Sequence, residues 1–194
     1  KGLKGKNKLK CFYGELDYFL ERFEESRKIF EEILNDPEAG DQEKAIACVG
    51  IGNYMFMKST VFDREGKTKL ANKYFGRAME LSKKKYPAIH EHAMFEYAAY
   101  LQSSSSTCDL ATRHLEEYLG SYPNGKNADH AKFRLAHARL WEGKTGRAME
   151  ILSELERKDP KSAYVIILKR LIEENEKQAK EKEKRRKEKN ERKT

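Results

Sequence analysis

Between residues 12 and 172, apolar side chains recur at steps of three and four, and no stretch alternates apolar with polar at period two. That spacing predicts an all-α chain. The first clear stripe runs Phe19, Phe23, Ser26, Ile29, Phe30, Ile33 and Leu34, with charged residues between, and reads as one amphipathic helix. It ends at Asp36-Pro37, because proline lacks an amide donor and its ring clashes with the preceding turn. Three helix pairs follow. The first covers 43–58 and 69–81, joined by a loop containing Asp63, Gly66 and Lys67. The second covers 89–102 and 110–119, separated by Ser103 to Ser106, with Thr107 or Asp109 as N-cap of its second helix. The third covers 128–141 and 145–157 and closes at Asp159-Pro160. A further stripe of Ala163, Ile167, Leu168, Leu171 and Ile172 predicts a capping helix.

Hairpins in series call for a test of internal repetition. Glu65-Gly66-Lys67-Thr68 precedes Ala71 at the distance at which Glu142-Gly143-Lys144-Thr145 precedes Ala148, which predicts two inter-helix turns in one register. Ala111 to Pro123 and Ala148 to Pro160 repeat a second spacing, with a period a little above that of a 34-residue repeat.

On these residues the chain resembles the tetratricopeptide repeat (TPR) family, whose second helix opens on a small residue, with an aromatic or Leu four later, Ala seven later and Pro twelve later. Ser26, Phe30 and Ile33 fit, as do Ala71, Phe75 and Ala78; Ala111, Leu115, Tyr118 and Pro123; and Ala148, Leu152, Leu155 and Pro160. Leu135, Ala136 and Gly143 match the small pair of the first helix and the turn glycine of the last repeat. The first repeat departs from the pattern: Gly14 is acceptable, but Glu21 occupies the turn-glycine position and Pro37 comes one residue early. The second carries an inserted turn and a late Pro87. The resemblance covers 12–172. It implies an α-solenoid of about four TPR-like hairpins with a C-terminal capping helix and a charged helical tail.

The resemblance also implies a function: a protein-interaction scaffold or adaptor that binds a partner peptide or helix in a concave groove lined by first helices. The groove residues it implies are Asn53, Tyr100, His130, Phe133, Arg134, His137 and Trp141. Tyr122-Pro123-Asn124-Gly125 through Asp129, then Phe133, Leu135 and Ala136, and then Asp159-Pro160-Lys161-Ser162 resemble the repeat variant of bacterial envelope proteins. Those include the outer-membrane assembly lipoprotein and the Tol-Pal coordinator. A periplasmic adaptor is the implication, beside a cytoplasmic scaffold.

Charge changes this picture only at the ends. The net charge is +8, but residues 1–10 hold five lysines and no acid, and residues 173–194 hold ten basic against seven acidic residues. The segment between is neutral, so a nucleic-acid groove built into the fold is not expected. The chain divides into a basic segment over 1–11, a repeat domain over 12–172 and a charged tail over 173–194. In the tail, Glu-to-Lys/Arg pairs at four-residue spacing support a solvated helix. Binding of nucleic acid or an anionic surface through the two basic ends is the alternative function. The chain begins at Lys1 rather than Met, so it is expected to be processed or part of a longer protein, and any signal segment that would fix the compartment is missing from it.

Chemistry is sparse. Cys11, Cys48 and Cys108 form no C-x-x-C pair and read as core fillers. Gly-Lys-Thr at 66–68 and 143–145 imitates the end of a phosphate loop, but Val61 and Ala138 stand where that loop needs its first glycine. Neither His90 with His92 nor His130 with His137 brings a third ligand. The serine run lacks a base. No catalytic residue, metal site or cofactor is expected, and the chain is not read as an enzyme.

Overall fold

The computed structural model describes residues 5–58, 64–102 and 107–191, and among them no strand occurs. The helices are α1 (Lys6–Phe19), α2 (Phe23–Asn35), α3 (Asp41–Met57), α4 (Arg64–Ser82), α5 (Pro87–Leu101), α6 (Cys108–Ser121), α7 (Ala128–Trp141), α8 (Thr145–Lys158) and α9 (Ala163–Glu191). The expected serine loop and Asp63 lie outside the described residues. The chain forms two compact units, residues 1–114 and 115–194.

In the first unit α1 pairs with α2, α3 lies against both, α4 pairs with α3, and α5 contacts α3 and α4. The repeat positions form the core. Phe30, Ile33, Phe75, Ala71 and Ala78 are all buried, as are Ser26 and Ala111. Phe30 explains two glycines: a Cβ built on Gly14 of α1 would stand 2.7 Å from its ring, and one on Gly50 of α3 2.1 Å from it. The ring therefore occupies the space where two side chains would otherwise be, and helices on both sides close on it. Gly52 stands in the same relation to Phe75, at 2.6 Å. The Ser26 hydroxyl donates to the Gly14 carbonyl at 2.8 Å, so the small polar residue is buried with its hydrogen bond made.

In the second unit α7 pairs with α8, and α9 packs on both. Tyr118, Leu115, Ala148 and Leu155 are buried, and Leu152 is half-buried. The two Asp-Pro stops are built alike: Asp36 accepts from the Glu38 amide at 2.8 Å and Asp159 from the Lys161 amide at 3.0 Å. Each aspartate thus turns the chain just after its helix.

Three expectations are corrected. The stripe from Phe19 is not one helix: α1 ends at Phe19, and the chain reverses through Leu20 to Arg22 before α2. The apolar rows of the two helices happen to stay in phase across the turn, so periodicity alone cannot see it. The segment at 64–68 is the start of α4 rather than a turn. A glycine in the first turn of a helix costs little, because the amides there have no partner inside the helix in any case. In α9 the buried row is Val165, Leu168 and Ile172, while Ala163 and Ile167 face outward. The helix starts on Ser162, whose hydroxyl accepts from the Val165 amide at 3.3 Å, and this start sets the phase.

The turns at the ends of α1 and α7 are the same motif. Arg22 N–H donates to the Asp17 carbonyl and Glu21 N–H to Tyr18; Lys144 N–H donates to Arg139 and Gly143 N–H to Leu140. This six-to-one and five-to-two pair is the Schellman arrangement, which needs a left-handed residue at the turn. Gly143 supplies it with φ +74°, and Glu21 supplies it with φ 60°. Glu21 does stand in the turn-glycine position, as the repeat pattern indicated.

Candidate functional site

Helix α7 is two-sided. Ala131, Leu135, Ala136, Ala138 and Leu140 are buried, and His130, Phe133, Arg134 and His137 share the half-buried face. Their spacing of three and four puts them in one row. The rings follow one another: His130 lies 6.5 Å from Phe133, Phe133 stacks 6.3 Å from His137 at 19° between planes, and His137 lies 4.6 Å from Trp141 with the rings tilted. Trp141 ends it with 56% of its surface exposed. α9 contributes Tyr164, whose ring lies 5.3 Å from His130 and 5.5 Å from Phe133.

Arg134 Nε–H donates to His130 Nε2 at 3.2 Å. That bond requires His130 in the tautomer with Nε2 unprotonated. Burial, and then the Arg134 charge, hold both His130 and His137 below the ordinary histidine pKa, so both rings are neutral near pH 7. The face is therefore one guanidinium set among neutral rings.

Five of the expected site residues, His130, Phe133, Arg134, His137 and Trp141, are thus brought together. Asn53, half-buried on α3, and Tyr100, on α5, belong to the other unit. Tyr100 is 6% exposed and packs at 6.0 Å from Phe56 and 6.1 Å from Phe75, so its ring enters the core. Tyr164 was missed. Placing the α9 stripe on Ala163 and Ile167 turned the helix by about one position, and Tyr164 carried no signal in that phase.

In the first unit Tyr54 donates to Glu24 at 2.8 Å, Arg27 lies 5.5 Å over the Tyr54 ring, and Lys58 stands 3.4 Å from Glu24. These groups satisfy one another. The three cysteines are free and buried, and burial pushes the Cys11 thiol up to about 12 and the Cys48 thiol to about 11, so neither is a nucleophile at neutral pH. No described helix is long and apolar enough to cross a membrane.

No protein-family model matches the chain, and no curated protein does. Among solved structures, the chain is similar to YrrB, described as a TPR protein with an unusual peptide-binding site. The TM-score is 0.58 at 17% identity, over 81% of this chain and 71% of that one. At that identity the likeness shows the fold: an all-α helical-repeat solenoid of the TPR class. It does not extend to the bacterial envelope variant.

Proposed function

We propose that the chain is a protein-interaction scaffold that holds a partner peptide or helix against α7 and carries out no chemistry of its own. The observation behind this is the single row of His130, Phe133, His137, Trp141 and Tyr164 with Arg134 among the rings. Rings supply a large contact area at low entropic cost, and a guanidinium pairs with a carboxylate in a fixed geometry. The favoured ligand is a segment that pairs an acidic group with apolar or aromatic side chains. YrrB, similar in fold, is described with a peptide-binding site, and this supports the class of function.

Trp141 is the only tryptophan, so its fluorescence reports directly on the face. Peptides selected from a random display library against the intact chain should shift that fluorescence on titration. Arg134→Ala and Phe133→Ala should each weaken binding by roughly tenfold or more, with helical circular dichroism unchanged. Binding that ignores both substitutions but disappears when the residues after Ile172 are removed would move the function to the charged end and sink this reading.

A further inference from the structure

An exposed apolar stripe lies elsewhere, on α1. Leu9, Phe12, Tyr13, Leu16, Phe19 and Leu20 are between 37% and 81% exposed, and their spacing places them on one face. The opposite face of the helix, with Asn7, Cys11 and Gly14, is buried. At 150–250 Å² for each large side chain, the stripe leaves roughly 600 Å² of apolar surface in water, at the upper end of what a monomer tolerates. Two such stripes facing each other would bury about 1,200 Å², the threshold of a stable interface.

We infer that α1 is a self-association face, pairing antiparallel with α1 of a second copy about a two-fold axis near Phe12. Charge selects this occupant and this direction. Lys8 and Glu15 are seven residues apart, two turns along the same edge of the stripe, and among the described residues the ion pairs of α1 are made by Lys10 and Asp17, not by these two. Antiparallel pairing sets Lys8 beside Glu15 of the second copy and, by symmetry, Glu15 beside Lys8. The same register sets Leu9 against Leu16 of the second copy and Phe12 against its own counterpart. Phe19 then reaches Gly5 of the second copy, where a side chain built on the backbone would meet nothing within 4 Å. A parallel pair would put the two Lys8–Glu15 edges on opposite sides of the seam, where they could not pair with each other. An anionic lipid surface would suit the N-terminal lysines but would meet Glu15 on the other half of the helix.

Sedimentation equilibrium of the full chain tests this. The wild type is expected to dimerise with a dissociation constant in about the micromolar range. Phe12→Glu, at an exposed position, should weaken the dimer by roughly thirtyfold or more while circular dichroism stays the same. Lys8→Glu should weaken it, and Lys8→Glu with Glu15→Lys should restore it, since reversing both charges recovers the antiparallel match. A monomer at about 100 µM, a dimer indifferent to Phe12→Glu, or a charge reversal without rescue would overturn the inference. So would a monomer that co-sediments with phosphatidylserine vesicles through Phe12, because the stripe would then belong to lipid.

Discussion

The α1–α2 and α7–α8 hairpins turn on the same hydrogen bonds, yet their first helices present different surfaces. α1 leaves Leu9, Phe12, Leu16 and Phe19 in water. α7 has α9 against it, as α1 has α3, but its outer row is half-buried, stacked on Tyr164 and threaded by Arg134. The repeat pattern fixes the inner face of a hairpin, where Phe30 or Leu152 sits between helices. What a first helix presents depends on where its large side chains stand: α1 leaves them in water, and α7 sets them beside Tyr164 of α9. A covered face can hold rings and a charge in place as a recognition surface, whereas an open apolar face calls for a partner.

The largest break in this comparison lies inside the hairpins. Phe30→Ala should destabilise by about 3–5 kcal/mol, because two glycine backbones line the hole and neither can fill it. Leu152→Ala, at the matching position in α8, should cost less than about 2 kcal/mol, since Leu152 is half-buried and its surroundings can relax. Urea denaturation of the two variants measures both, and equal losses would show that the hairpins are closed alike. Gly50→Ala comes next. Its new methyl would sit 2.1 Å from the Phe30 ring, so a loss of about 1–3 kcal/mol is expected, and in a Phe30→Leu background that loss should shrink.

Most of the hairpins were legible in the sequence for the same reason that Phe30 matters. Small residues, aromatic fillers and Asp-Pro stops recur at set distances, and α7 falls at the bounds its pattern indicates. The α1–α2 break was hidden because Phe19 and Phe23 keep the helical step through the turn. Gly66 and Gly143 read alike as text, but one lies in the first turns of α4 and the other is left-handed. That difference rests on surrounding contacts, which local sequence does not carry. The residues of the α7 row came from the family resemblance, while Tyr164 depended on the phase of a helix that starts at Ser162. The exposed stripe of α1 was present in the pattern. Cys11 was legible as a core filler and Gly14 as a repeat position, and packing adds that Phe12 and Leu16 face outward.

The two turns give a smaller effect of opposite sign. Glu21 holds a left-handed conformation that costs a residue with a Cβ about 1–2 kcal/mol, offset in part by the greater chain entropy that glycine would lose. Glu21→Gly should therefore stabilise by about 0.5–1 kcal/mol, and Gly143→Ala should destabilise by about 1 kcal/mol. Thermal melts would show one rise and one fall. If both variants fall, Glu21 makes contacts that outweigh its backbone strain.

The smallest effect is pH dependence confined to the second unit. His130 and His137 titrate below the ordinary histidine pKa, because burial and the Arg134 charge disfavour their protonated forms. In the unfolded chain both return to about 6.5, so just below that pH the unfolded state binds more protons than the folded one. Stability is thus fully present above pH 6.5 and declines as pH falls from there through the depressed folded values. Protonation also ends the acceptance by His130 Nε2 of the Arg134 hydrogen bond, and leaves two cations beside a third. A variant carrying His130→Gln and His137→Gln should lose less stability than the wild type between pH 7 and about 5.5 in urea titrations, whatever its stability at pH 7. Parallel slopes for the two proteins would mean that the rings on α7 are more open to water than their packing indicates, and the contrast with the open face of α1 would narrow accordingly.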